Sequence, residues 1–229
     1  MKKSIDKKYN IPEGAPAINY QPLAPGTDDV KNLQYGMEMF GKYVWPHIAS
    51  CFSLDDSIVD LGAGTGRHSR FLSNFVKKVT AVDIGLGSKN PEHSGYDMSM
   101  LDKIENAEKV CSDIMNFNPK EKFDVVFSTG SFYYFYMCYK EDSFKKMVSL
   151  MKKKNSVMVL LEGPENTRPY NLNNLMKENN LVRLHKAIIP QWGSDGGYVA
   201  ILSTPENANY TLAKRTTYIN KINAKIKNG

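Results

Sequence analysis

An α/β domain, built as a doubly wound sheet with helices on both faces, is what this 229-residue sequence predicts. Three observations predict it. At 57–76 the apolar run SIVDL enters the glycine turn GAGTG and then a segment with Phe71, Leu72, Phe75 and Val76 at helical spacing, which reads as strand, tight turn and helix. At 156–161 the run SVMVLL shows no polar alternation, as expected of a strand covered on both faces. Other short apolar runs, at 78–84, 107–111, 123–129, 182–189 and 198–203, repeat along the chain.

Composition bounds the rest. With 41% hydrophobic residues the chain can bury one full core without disulfides or a structural metal. Cys51, Cys111 and Cys138 are odd in number and widely spaced, which suits a reducing compartment and offers no zinc pattern. No apolar stretch near the first residues has signal-peptide character and none approaches the ~20 residues of a membrane span, so a cytoplasmic protein without a membrane partner is expected. The net charge is +6, but residues 1–8 hold +3 and residues 213–229 hold +5, leaving −2 for everything between. Basic tails on a nearly neutral body make nucleic acid an unlikely partner, because a nucleic-acid enzyme places its cations around the cleft.

In chain order, Pro12, Pro16, Pro22 and Pro25 predict an extended arm over 1–26. The domain proper is expected over 27–205, followed by a basic helix or tail at 206–229. Thr27 reads as a helix cap, with Val30, Leu33, Met37, Phe40 and Val44 at helical spacing behind it. The glycine turn at 62–66 allows positive φ and lets a ligand approach the backbone. Arg67 stands where a GxGxxG pattern would place its last glycine, and Asp60 would repel a pyrophosphate but could neutralise an ammonium. His68 faces the packed side of its helix and reads as structural. Asp83 closes the second strand 21 residues after Gly62, where a carboxylate accepts the hydroxyls of a ribose.

The stretch 59–66, VDLGAGTG, resembles the first motif of the class I S-adenosylmethionine-dependent methyltransferases. Asp83, then Ser112-Asp113-Ile114 after the third strand, then FDVVFST at 123–129 follow in that family's order and spacing. The resemblance implies S-adenosylmethionine as donor and S-adenosylhomocysteine as product. It also implies cofactor contacts from Asp60, Gly62, Ala63, Gly64, Gly66, Asp83, Ile84, Asp113, Ile114 and Ser128. Asp113 would accept from the adenine amine, Ile114 would pack on the ring, and the backbone near Ser128 would face the methionine part. The implied strand order is 3-2-1-4-5-7-6, with strand seven reversed. That reversal also follows from the short loop at 191–197, because a parallel return needs a crossover.

The acceptor end is less determined. Glu162 ends a central strand and is the best-placed candidate base, with Tyr134, His47 and Asp195 as alternatives. Tyr133, Arg168 and Trp192 are candidates for binding a substrate, Trp192 and Asp195 because their loop falls at the carboxyl edge of the sheet. A small polar acceptor is expected, with oxygen favoured; an N-methyltransferase with an aromatic cage, or an RNA or protein methyltransferase recruited by its tails, are the alternatives. No metal-assisted pattern is present, and oligomeric state is not indicated. Hydride transfer remains the rival chemistry for a glycine turn of this kind.

Overall fold

The computed structural model describes residues 37–85, 98–192 and 195–208. The extended arm at 1–26, the cap at Thr27 and the tail beyond 208 lie outside the described residues.

Seven strands form one sheet: β1 Ser57–Leu61, β2 Lys78–Asp83, β3 Ala107–Cys111, β4 Val125–Thr129, β5 Val157–Glu162, β6 Val182–Ile189 and β7 Gly197–Ser203. Their order is β3-β2-β1-β4-β5-β7-β6. β7 runs antiparallel to both β5 and β6, and the other pairings are parallel. The order reverses between β1 and β4, which are hydrogen-bonded neighbours, so the connections leaving their carboxyl ends diverge there.

Two apolar layers sandwich the sheet. On one face the helical turns at Phe40–Val44 and α1 (Trp45–Ile48), with α2 (Arg67–Ser73), place Phe40, Val44, Ile48 and Leu72 against Ile58, Phe127 and Val159. On the other, α3 (Phe132–Tyr139), α4 (Glu141–Ser149) and α5 (Leu172–Glu178) place Phe132, Phe144, Met147 and Leu172 against Val59, Val126 and Leu160. β5 is buried at all six positions, as its unbroken apolar run predicts.

The differences from expectation have local causes. The helix through Phe40 widens to a π turn, in which Trp45 N–H reaches back to Phe40 O because Pro46 has no N–H for the regular ladder. β4 begins at Val125, and Phe123 makes only an isolated bridge to Met151. α4 ends at Ser149, and Lys152 beyond it reaches Asp124 at 2.7 Å, whose Oδ2 also accepts from Ser57 N and Oγ. α3 has no counterpart in the sequence reading.

Candidate active site

The turn after β1 folds as it does because Gly62, Gly64 and Gly66 all take positive φ, at 71°, 57° and 79°. Gly62 N and Ala63 N donate to Val82 O at 2.9 and 3.1 Å, which fastens the turn to the end of β2. A Cβ on Gly62 would lie 2.4 Å from Ser131, and one on Gly66 2.9 Å from Leu101. These two glycines are therefore required by the protein's own packing as well as by φ. Asp83 closes the turn from β2, its Oδ2 accepting from Gly64 N at 2.9 Å and its Oδ1 from Gly85 N at 2.7 Å. Burial pushes its carboxyl up despite those bonds.

The remaining cofactor candidates divide by exposure. Ala63 lies in the turn and Ile84 just beyond β2, half-buried. Asp60 is sealed behind the turn, where its Oδ2 accepts from Ser69 Oγ of α2 at 2.6 Å. Desolvation raises its pKa to about 7, against the opposing Ser69 bond. It therefore does not present an open carboxylate to an ammonium. Ser128 is also wholly buried and donates to Leu61 O. Asp113 follows β3, accepting from Met115 N at 2.7 Å and from Tyr139 Oη at 2.6 Å. Ile114 is buried in the core cluster that also holds Phe132, Phe144 and Met147.

The start of α3 joins the glycine turn to the end of β5. Ser131 Oγ donates to Gly62 O at 2.9 Å, and Phe132 N donates to Glu162 Oε1 at 3.0 Å. Glu162 is thus a cap for α3 and is completely buried. Burial lifts its pKa to about 7, with Arg168 opposing. Its Oε2 has no hydrogen-bond partner among the described residues, and Arg168 Nε, likewise unpartnered, lies 3.9 Å away. The hydroxyls of Tyr170 and Tyr198 are buried beside this pair, facing each other and close enough to feel the Glu162 charge. Beyond them a cavity of about 850 Å³ opens between the start of α5 and the β6–β7 turn, reaching Glu165, Lys186 and Asp195.

Of the other acceptor candidates, Tyr134 is the exposed ring at the start of α3, edge-on to Tyr133 at 5.2 Å. Arg168 stacks on Tyr133 at 5.0 Å. Trp192 tilts against the buried His68 at 5.9 Å, and Asp195 is exposed on the same loop. His68 lies between Phe40, Phe127 and Trp192, its pKa well below the usual histidine value through burial, in keeping with a structural histidine. His47 does not join the site. It stacks on His185 at 5.8 Å, four residues before the end of β6 and so about 13 Å below the carboxyl edge at ~3.3 Å per residue. Sequence reasoning missed Ser131, Tyr139 and Tyr170, whose roles arise only when α3 and the β5–α5 connection fold over the edge. Among the described residues, no group of three or more His, Cys, Asp or Glu is placed to hold a metal.

A glycine turn fastened by an acid from β2, at the reversal point of a 3-2-1-4-5-7-6 sheet, is the arrangement that the motif resemblance anticipates. Residues 58–154 match a family model described as a methyltransferase domain. Over those residues the chain resembles a methyltransferase domain, and its sheet has the class I methyltransferase strand order. Among curated proteins it is 25% identical over 124 residues to the candidate methyltransferase 235L of Invertebrate iridescent virus 6. That match covers 54% of this chain and 44% of the viral protein, so the chain spans less than half of its relative's length. The N-methyltransferase NodS of Bradyrhizobium japonicum WM9, in complex with S-adenosylhomocysteine, superposes with a TM-score of 0.60 at 14% identity, over 82% of this chain and 95% of that one. An S-adenosylmethionine-dependent methyltransferase of Clostridium acetobutylicum ATCC 824 gives 0.56 at 13% identity, over 77% and 95%. At such identities these two structures share the fold.

Proposed function

We propose that the protein transfers a methyl group from S-adenosylmethionine to a small polar acceptor, with oxygen favoured over nitrogen. The residues present suit the donor. Asp83 keeps lone pairs for ribose hydroxyls beyond the two backbone bonds it accepts. A Cβ built on Gly130, at the tip of β4, would meet nothing within 4 Å, so there is room for the methionine part where the strand order reverses. The donor supplies an electrophilic methyl on a sulfonium. The protein's task is in-line alignment of the acceptor, exclusion of water and a route for the acceptor's proton.

One observation carries the preference for oxygen. An aromatic cage for an ammonium needs free ring faces, yet Tyr133 is covered by Arg168, Tyr136 by Lys140 and Tyr198 by Lys186, at 5.0, 5.7 and 5.4 Å. The protein's own cations occupy the faces and would repel a second one. Arg168 beside Glu162 suits an acceptor that carries a hydroxyl or carboxyl group. Glu162, with an unpaired Oε2 and a pKa near neutrality, is the candidate to take up a proton from within, and Tyr134 and Asp195 are the exposed alternatives. The fold likeness to NodS does not bear on this choice.

The test uses S-adenosylmethionine labelled with 13C in the methyl group and small-molecule pools as acceptors. The expected product gives a methyl carbon signal in the range of methyl ethers or esters. Signals confined to N-methyl positions would replace the oxygen reading. Label appearing only in RNA or protein would overturn the small-acceptor reading, and a failure of calorimetry to detect S-adenosylhomocysteine binding would remove the methyltransferase reading itself.

A further inference from the structure

α3 is held at both ends by groups of the donor seat. At its start Ser131 is bonded to the glycine turn, and at its last residue Tyr139 Oη donates to Asp113 Oδ2 at 2.6 Å. Eight residues at 1.5 Å each make this helix about 12 Å long. The chain then reverses sharply at Lys140, whose φ of 52° is strained for a residue with a side chain, and its N–H closes on Tyr136 O. The joint fixes where the Tyr139 ring emerges. On the other side, Asp113 Oδ1 is pinned by Met115 N. Asn116 N also faces the carboxylate, so both oxygens are oriented before any ligand arrives, with one of about four lone-pair sites left over.

We propose that Tyr139 is a positioning residue for the purine end of the donor site: by holding Asp113 Oδ2 it sets the carboxylate to accept from an exocyclic amine, and so selects adenine over a 6-oxopurine. This rests on the reading of Asp113 as the adenine acceptor. A carboxylate free to rotate would spread its lone pairs over many directions and would meet the 6-oxo group of a hypoxanthine ring with less defined repulsion. The Tyr139 bond also favours the ionised form of Asp113. Burial raises the carboxyl of Asp113, and the Tyr139 bond is the largest opposing influence, followed by Met115 N; Lys146 of α4 and the Cys138 thiol face the same carboxylate. Binding through an ionised Asp113 therefore weakens as pH falls through its titration. Without the Tyr139 bond that titration moves upward, and the weakening begins at higher pH.

The experiment is calorimetric titration of the full chain with S-adenosylhomocysteine and S-inosylhomocysteine, across pH, for the wild type, Tyr139→Phe, Tyr139→His and Asp113→Asn. In Tyr139→Phe the preference for S-adenosylhomocysteine should narrow about fivefold, and the pH at which its affinity falls should rise relative to wild type. Titrations of the ligand and of other carboxylates are common to both proteins and cancel in that comparison. Tyr139→His, which restores a donor, should regain part of the preference. It also keeps the proposal testable if Tyr139→Phe folds poorly. An unchanged preference and pH profile in Tyr139→Phe, with a collapsed preference in Asp113→Asn, would overturn the role of Tyr139 while leaving that of Asp113 intact. An unchanged preference in Asp113→Asn would remove both.

Discussion

Around the glycine turn, the carboxylates of Asp60, Asp83 and Asp113 all meet hydrogen-bond donors, whereas at the end of β5 Glu162 Oε2 and Arg168 Nε are buried without a hydrogen-bond partner among the described residues. Both regions lie on the carboxyl edge of the same sheet. Each unpaired buried group costs about 1–3 kcal/mol of desolvation, so the second region carries a penalty that the first avoids. The donor side is built to be rigid before ligand arrives. The acceptor side keeps polar capacity unspent next to a cavity, at the expense of stability.

The largest expected effect breaks the rigid side. Gly62→Ala forces positive φ on a Cβ that meets Ser131, and should cost about 3 kcal/mol, a fall in Tm of roughly 10 °C by calorimetry. An unchanged Tm would mean that the turn is not clamped by Ser131.

Next comes Glu162. Glu162→Ala uncaps α3 and strands Arg168, for a loss of about 2–3 kcal/mol in urea unfolding, while Glu162→Gln keeps an acceptor for Phe132 N and should lose less than half as much. Equal losses would deny the capping role.

A third prediction concerns pH. Glu162 and Asp60 both hold their protons more tightly when folded, with pKa values lifted from 4.5 and 3.8 to about 7. The stability this contributes is full below those lower values and is lost as pH rises towards 7. Glu162→Gln and Asp60→Asn should each flatten the decline measured between about pH 4 and 7.

The smallest effect sharpens the comparison from the other side. Tyr170→Phe and Tyr198→Phe each break the contact between these two hydroxyls, and each should lower stability by no more than about 1 kcal/mol. A loss above about 2 kcal/mol in equilibrium unfolding would show that the pair carries more than one ordinary hydrogen bond.

Much of the donor side was legible because its signals are local. The glycines, Asp83 at a strand end and the unbroken run of β5 each report on the backbone around them, and the parallel strands followed from their apolar pattern. The reversal of β7 was readable from the length of one loop. α3 was not, since FYYFYMCY is aromatic, poor in good helix formers and without a capping side chain of its own. Its start is capped from Glu162, 30 residues away. For the same reason Glu162 looked like a free acid at a strand end. His47 was misplaced because its partner, His185, lies on a strand 138 positions further along. Asp60 sits in a motif position, but which way its side chain faces was decided by α2.

The bonds that make the donor seat join residues far apart in the chain: Gly64 to Asp83 across 19 positions, and Ser131 to Gly62 across 69. A molecule that fits the finished seat finds nothing comparable on an unfolded chain. Its binding energy therefore adds to the stability of β1, β2, β4 and α3 together, by about 2.7 kcal/mol at a free concentration one hundred times Kd. The concentration of such a ligand then helps set how much of this protein stays folded.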